Sequence, residues 1–144
     1  MVADSLRRDK VMNVVTLIGR LTRDPELRYI ANTGTPVATF TLAVDKELSK
    51  DKKQEMESKG QATADFINIV VWGRQAESCA NYLAKGRLVA IQGRIQSRSW
   101  ETENGRRYAT EVVANQVQFL EWSKDNDIPD GFIEVDSESE NIPF

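Results

Sequence analysis

Apolar residues recur along this chain with two periods, and most of the chain keeps the shorter, alternating one. Asn13 to Leu21 (NVVTLIGRL) is rich in β-branched residues and stops at the breaker Thr22 to Pro25, which predicts a strand. Glu26 to Ile30 is extended, and Asn32-Thr33-Gly34 carries turn chemistry. Pro36 to Val44 alternates, with Ala38, Phe40, Leu42 and Val44 on one face and Val37, Thr39, Thr41 and Ala43 on the other. Asp45 to Ala64 is lysine-rich and almost without large apolar residues, and is expected to be a long mobile loop.

In Asp65 to Trp72 (DFINIVVW), Ile67, Ile69 and Val71 point towards a core while Phe66, Asn68, Val70 and Trp72 share the opposite surface. Phe66 and Trp72 then stand about 20 Å apart along the strand, roughly the reach of several stacked bases. The same pattern fits a strand buried on both sides with two core aromatics, and this segment alone leaves the two readings level. At Gln75 to Leu83 the period changes: Ala76, Cys79, Ala80 and Leu83 recur at helical spacing, and Gly86 is a residue suited to end the helix. Cys79 belongs to that apolar stripe and reads as a buried structural thiol.

Arg87 to Trp100 returns to alternation, with Val89, Ile91, Gly93 and Ile95 inward and Gln92, Arg94, Gln96, Arg98 and Trp100 outward. A guanidinium pairs with phosphate or lies flat on a ring, so arginines leading to a tryptophan suit phosphate contact and base stacking together. A solvated strand face is the plainer alternative. Asn104-Gly105 predicts a turn and Tyr108 to Phe119 the returning strand of a hairpin whose tip carries Arg106 and Arg107. The order predicts an all-β fold: a five-stranded OB-fold Greek-key barrel with one helix between the third and fourth strands. Such barrels host several functions, so the site must decide.

Composition acts by exclusion. The 144 residues suffice for one domain with tails, and the chain has no histidine and a single cysteine, which removes the usual zinc sites, histidine acid–base chemistry and an internal disulfide. With no nucleophile–base pair and no phosphate-cradling glycine loop, an enzyme is the least supported class and no cofactor is expected. No apolar run approaches the length of a membrane span and Met1 to Lys10 is charged where a signal peptide is apolar, so a cytoplasmic protein is expected. The net charge of −3 hides an asymmetry: residues 1–122 carry 18 Lys and Arg against 15 Asp and Glu, whereas residues 123–144 carry one lysine against seven acids. A basic body and an acidic tail suit a chain that meets a polyanion with one part only.

The blocks NVVTLIGRLTRDPELRY, ADFINIVVWGRQAE, YLAKGRLVAIQGRIQSRSWE and TEVVANQVQFLEW, in this order and spacing from Val11 to Trp122, resemble the bacterial single-stranded DNA-binding proteins. The resemblance implies a homotetramer without cofactor that wraps single-stranded DNA by stacking bases on aromatics. The stacking residues it implies are Phe66, Trp72 and Trp100, with Arg74, Lys85 and Arg98 as basic partners; the face and loop readings add Arg94, Arg106 and Lys46. Leu48 falls where the family often has a further aromatic. The apolar residues on both faces of the last strand, Val112, Val113, Val117 and Phe119, also favour self-association.

Three segments are expected: residues 1–11, an N-terminal extension or else the product of an upstream start, since the family commonly begins near Met12, the OB-fold domain at 12–122, and an acidic disordered tail at 123–144. The tail closes on Asp136, Glu138, Glu140, Ile142, Pro143 and Phe144. By the resemblance, such a tip docks replication, recombination and repair proteins through its terminal apolar side chain and carboxylate. Asn141 stands where the family often has an aspartate. A module for structured RNA would want fewer exposed aromatics and no acidic tip, and a subunit that only bridges proteins would bury Phe66, Trp72 and Trp100.

Overall fold

The alternating segments become strands that close on one another. The computed structural model describes residues 10–121. Its elements are β1 (Val15–Leu21), β2 (Glu26–Tyr29), β3 (Pro36–Asp45), α1 (Lys50–Ser58), β4 (Ala64–Trp72), α2 (Arg74–Tyr82), β5 (Leu88–Thr102) and β6 (Gly105–Phe119). Hydrogen-bonded neighbours run β1-β5-β6-β4-β3, and β3 returns to β1; β2 pairs with β3 outside this ring. Every pairing is antiparallel except β4 with β6. The β1–β3 seam joins only Arg20 to Ala43 and Leu21 to Leu42, so the barrel is partly open. This is the OB-fold, with α2 between β4 and β5 where the helix was expected.

The inward rows fill the barrel: Ala38, Phe40 and Leu42 of β3, Ile69 and Val71 of β4, Val89 and Ile91 of β5. Burying a side chain such as Phe40 or Ile69 contributes about 1.5–3 kcal/mol, so these rows dominate stability. Helix α2 packs on β3 and adds Ala76 and Cys79 to the core, with Leu83 just past its end. Burial pushes the Cys79 thiol up to about 12. A Cβ on Gly19 would stand 2.4 Å from the Ala43 carbonyl oxygen and one on Gly93 2.1 Å from the Val113 carbonyl oxygen, so both are points where backbones press together.

At Gly93 the β5–β6 register shifts, and Asn115 is left without an opposite residue. Just past Ala114, the last residue of β6 paired with β4, the Gln75 side chain takes over: its Nε2 donates to the Asn115 carbonyl at 2.9 Å and its Oε1 accepts from the Val117 N–H at 3.0 Å. Asn13 does the same beyond the start of β1, donating to the Ile95 carbonyl at 2.8 Å and accepting from the Ile95 N–H at 2.9 Å. Where β6 ends, Arg20 donates to Glu121 at 2.7 Å, the Leu88 N–H donates to the same carboxylate at 3.1 Å, and the arginine holds Glu121 below its ordinary pKa.

The structure corrects three expectations. Residues 45–64 are not a featureless loop but contain α1, capped by the Ser49 side chain accepting from the Lys52 N–H, with Asp51 in its first turn and a Lys59–Glu55 pair at 2.9 Å. None of its residues is buried, so no apolar stripe announced it. Ile95 is on the inward parity of β5 yet 50% exposed, because β1 stops at Val15 opposite Gly93 and the β5–β6 hairpin runs on as a two-stranded ribbon past the barrel. Gly86 does not end the helix: α2 stops at Tyr82, and Gly86 takes φ 90° in the following turn, its N–H donating to the Leu21 carbonyl at 2.8 Å.

Candidate nucleic-acid interface

Directly opposed residues of an antiparallel pair point to the same side, so the register assembles the outer surface. Trp72 opposes Val37, Val70 opposes Thr39, Asn68 opposes Thr41 and Phe66 opposes Ala43. Arg28 of β2 joins this surface opposite Val37. Beyond β4, Val113 of β6 lies beside Val70 and opposite Arg94, Glu111 opposes Gln96, Ala109 opposes Arg98, and Arg107 opposes Trp100. One face running from β2 across β3, β4 and β6 to β5 thus gathers side chains from distant parts of the sequence.

The large aromatics of this face meet solvent: Phe66 is 62% exposed, Trp72 48% and Trp100 41%, while Ile69 and Val71 of β4 are sealed in the barrel. Val37 and Val70 have the outward parity but are buried, forming an apolar floor. Over that floor Arg28, Trp72, Gln96, Arg98 and Glu111 line a groove of about 220 Å³. It continues into a neighbouring hollow that adds Arg23, Glu26 and Asn68.

Arg98 is the most constrained cation of the face. Its Nε donates to Glu111 at 3.0 Å, and its guanidinium carbon lies 4.7 Å from the centre of the Trp100 ring. Arg94 donates to Gln96 at 3.2 Å. Arg106 alternates to the other side of the ribbon, where it donates to the Ser99 hydroxyl at 3.1 Å and pairs with Glu101 at 3.6 Å; its neighbour Arg107 stands across from Trp100. Lys46 pairs with Asp65 at 2.6 Å beside Phe66. Arg74 opens α2 two residues after Trp72, and Lys85 follows α2 in a turn where its backbone N–H donates to Asp24 at 2.8 Å; both are exposed, and neither lines the groove. Leu48 is half-buried just before α1. The acidic tip residues Asp136, Glu138, Glu140, Ile142, Pro143 and Phe144 lie outside the described residues.

Sequence reasoning missed Arg23, Arg28, Arg107 and Glu111 as members of this face. The alternation of β6 contained the parity of Arg107 and Glu111, but only the pairing register put them across from Trp100 and Gln96. Exposed rings beside guanidinium groups can stack any base and contact any phosphate, a chemistry tolerant of sequence and weakened by salt.

Residues 12–120 match the single-strand binding protein family. The chain is 58% identical over 118 residues to single-stranded DNA-binding protein 2 of Clostridium acetobutylicum, covering 81% of this chain and 83% of that one. It is 56% identical over 129 residues to a single-stranded DNA-binding protein of Clostridium tetani, covering 88% and 83%. Against single-stranded DNA-binding protein A of Bacillus subtilis it is 51% identical over 112 residues, covering 77% of this chain and 60% of the relative.

Proposed function

The chain belongs to the single-strand binding protein family, and from that premise we propose that it binds single-stranded DNA on the outer face of its barrel without reading sequence. The observation that carries this reading is the exposure of Phe66, Trp72 and Trp100 on one face together with the guanidinium groups of Arg98, Arg94 and Arg28. Bases stack on the rings and phosphates meet the cations. Arg74, Lys85 and Lys46 then extend the basic track beyond the groove, and Arg106 meets the DNA strand from the other side of the ribbon, Lys46 and Arg106 by exchanging their carboxylate partners for phosphate. It is a binding protein, working as a homotetramer in the cytoplasm at the nucleoid. Exposed Ile18 and Ile95 support self-association, which gives them cover.

The acidic segment ending in Ile142, Pro143 and Phe144 recruits replication, recombination and repair proteins, a role supported by its composition: seven acids and a terminal apolar triplet. The test is a titration of tryptophan fluorescence with oligo(dT) of increasing length at two salt concentrations, on protein whose mass in solution is known. Quenching that saturates at a fixed length per oligomer and weakens with salt is expected. Absence of quenching, with no retention of the oligonucleotide, refutes the reading.

A further inference from the structure

A carboxylate almost closed to solvent stands in the middle of the face proposed as a track for a polyanion. The Glu111 side chain is 7% exposed and accepts from Arg98 Nε at 3.0 Å and from Gln96 Nε2 at 3.3 Å. A buried negative charge is costly to desolvate and repels phosphate, so on bulk electrostatics alone it works against the face it sits in. Its geometry suggests what offsets that cost. Glu111 grips the inner edge of the Arg98 guanidinium through Nε, and the guanidinium carbon lies over the Trp100 ring, 4.7 Å from its centre.

We propose that Glu111 is a positioning residue for nucleic-acid binding, locking Arg98 over one side of Trp100 so that a base stacks only on the other side while the outer guanidinium N–H groups meet phosphate. This rests on the proposed function above. A base slipped between the guanidinium and the indole needs about 7 Å, twice the ~3.4 Å rise of stacked bases. The 4.7 Å separation has no room for one, so the locked arginine leaves the far side of the ring as the stacking platform. A guanidinium held by two of its own surroundings loses less conformational freedom when phosphate arrives than a free arginine does.

Bulk electrostatics and positioning predict opposite signs, which makes the proposal testable. The full chain and its Glu111→Gln, Glu111→Ala, Arg98→Ala, Phe66→Ala, Glu111→Gln/Arg98→Ala and Glu111→Gln/Phe66→Ala variants are titrated with oligo(dT), with thermal melts alongside. Glu111→Gln keeps the shape and an acceptor oxygen but loses the charge, and is expected to weaken binding about threefold to tenfold, an effect of the size seen for contacting pairs. That loss should vanish in the Arg98→Ala background and persist in full beside Phe66→Ala, whose ring lines neither hollow that holds Arg98 and Glu111. Tighter binding by Glu111→Gln, or an equal loss with and without Arg98, overturns the role of Glu111. Failure of the parent chain to bind oligo(dT) overturns the function itself, a different result.

Discussion

Replacing Trp72 by alanine separates the two tasks of one side chain. Trp72 is 48% exposed, and the covered remainder lies beside the groove floor of Val37, its partner across the strand pair, and Val70. A buried aromatic removes roughly 200 Å² from water, so the covered half of Trp72 is about 100 Å², which at about 25 cal/mol per Å² is at most ~2.5 kcal/mol of stability. The exposed half offers one base a stacking surface of about 1–3 kcal/mol, which is about 5- to 150-fold in affinity per site. Because stacking releases no counterions, the slope of log affinity against log salt should stay near that of the parent, whereas Arg98→Ala should flatten it. The assay is an oligo(dT) titration at several salt concentrations, followed by fluorescence anisotropy of a labelled oligonucleotide so that loss of the tryptophan signal does not confound it, with a thermal melt for the stability part. A Trp72→Ala chain that melts lower but binds like the parent would refute the stacking role and leave Trp72 as a cover for the groove floor.

Gly93→Ala should lower the melting temperature more than any surface change, because its Cβ meets the Val113 carbonyl oxygen at 2.1 Å with only backbone to give way; a melt within a few degrees of the parent would show that the β5–β6 irregularity yields. Cys79 should resist a thiol reagent at pH 8 in the folded chain and react once denatured. Its raised value also means a contribution to stability that is present below the unfolded thiol range near pH 8.5 and lost as pH climbs towards about 12, so Cys79→Ala should flatten the alkaline limb of stability against pH. The lowered Glu121 carboxyl acts at the other end: its contribution is complete above the ordinary glutamate range near pH 4.3 and is lost as pH falls through its folded value, so Glu121→Gln should remove part of the acid limb measured by urea unfolding.

Much of this protein was legible without coordinates, because the signals concerned are local. Alternation along DFINIVVW puts Ile69 and Val71 inward and Phe66 and Trp72 outward whatever the strand pairs with, since successive side chains of any strand leave opposite sides. The stripe of Ala76 and Cys79 places a helix on a core for the same kind of reason. Helix α1 escaped because none of its residues is fully buried: the Ser49 cap and charged side chains support it and leave no apolar period to read. Ile95 obeys the alternation and is still exposed, because cover depends on where the neighbouring strand β1 ends. The functional face shows the limit most clearly. Arg28, Val37, Trp72, Arg98 and Glu111 share one groove although they come from five strands, and their neighbourhood exists only through barrel closure and the register that the turn between Thr102 and Gly105 sets for the last hairpin. One residue of slip in that register would exchange Arg107 for Arg106 across from Trp100 and turn Glu111 away from Arg98, so periodicity determines which side chains share a side, and long-range pairing alone determines which of them meet.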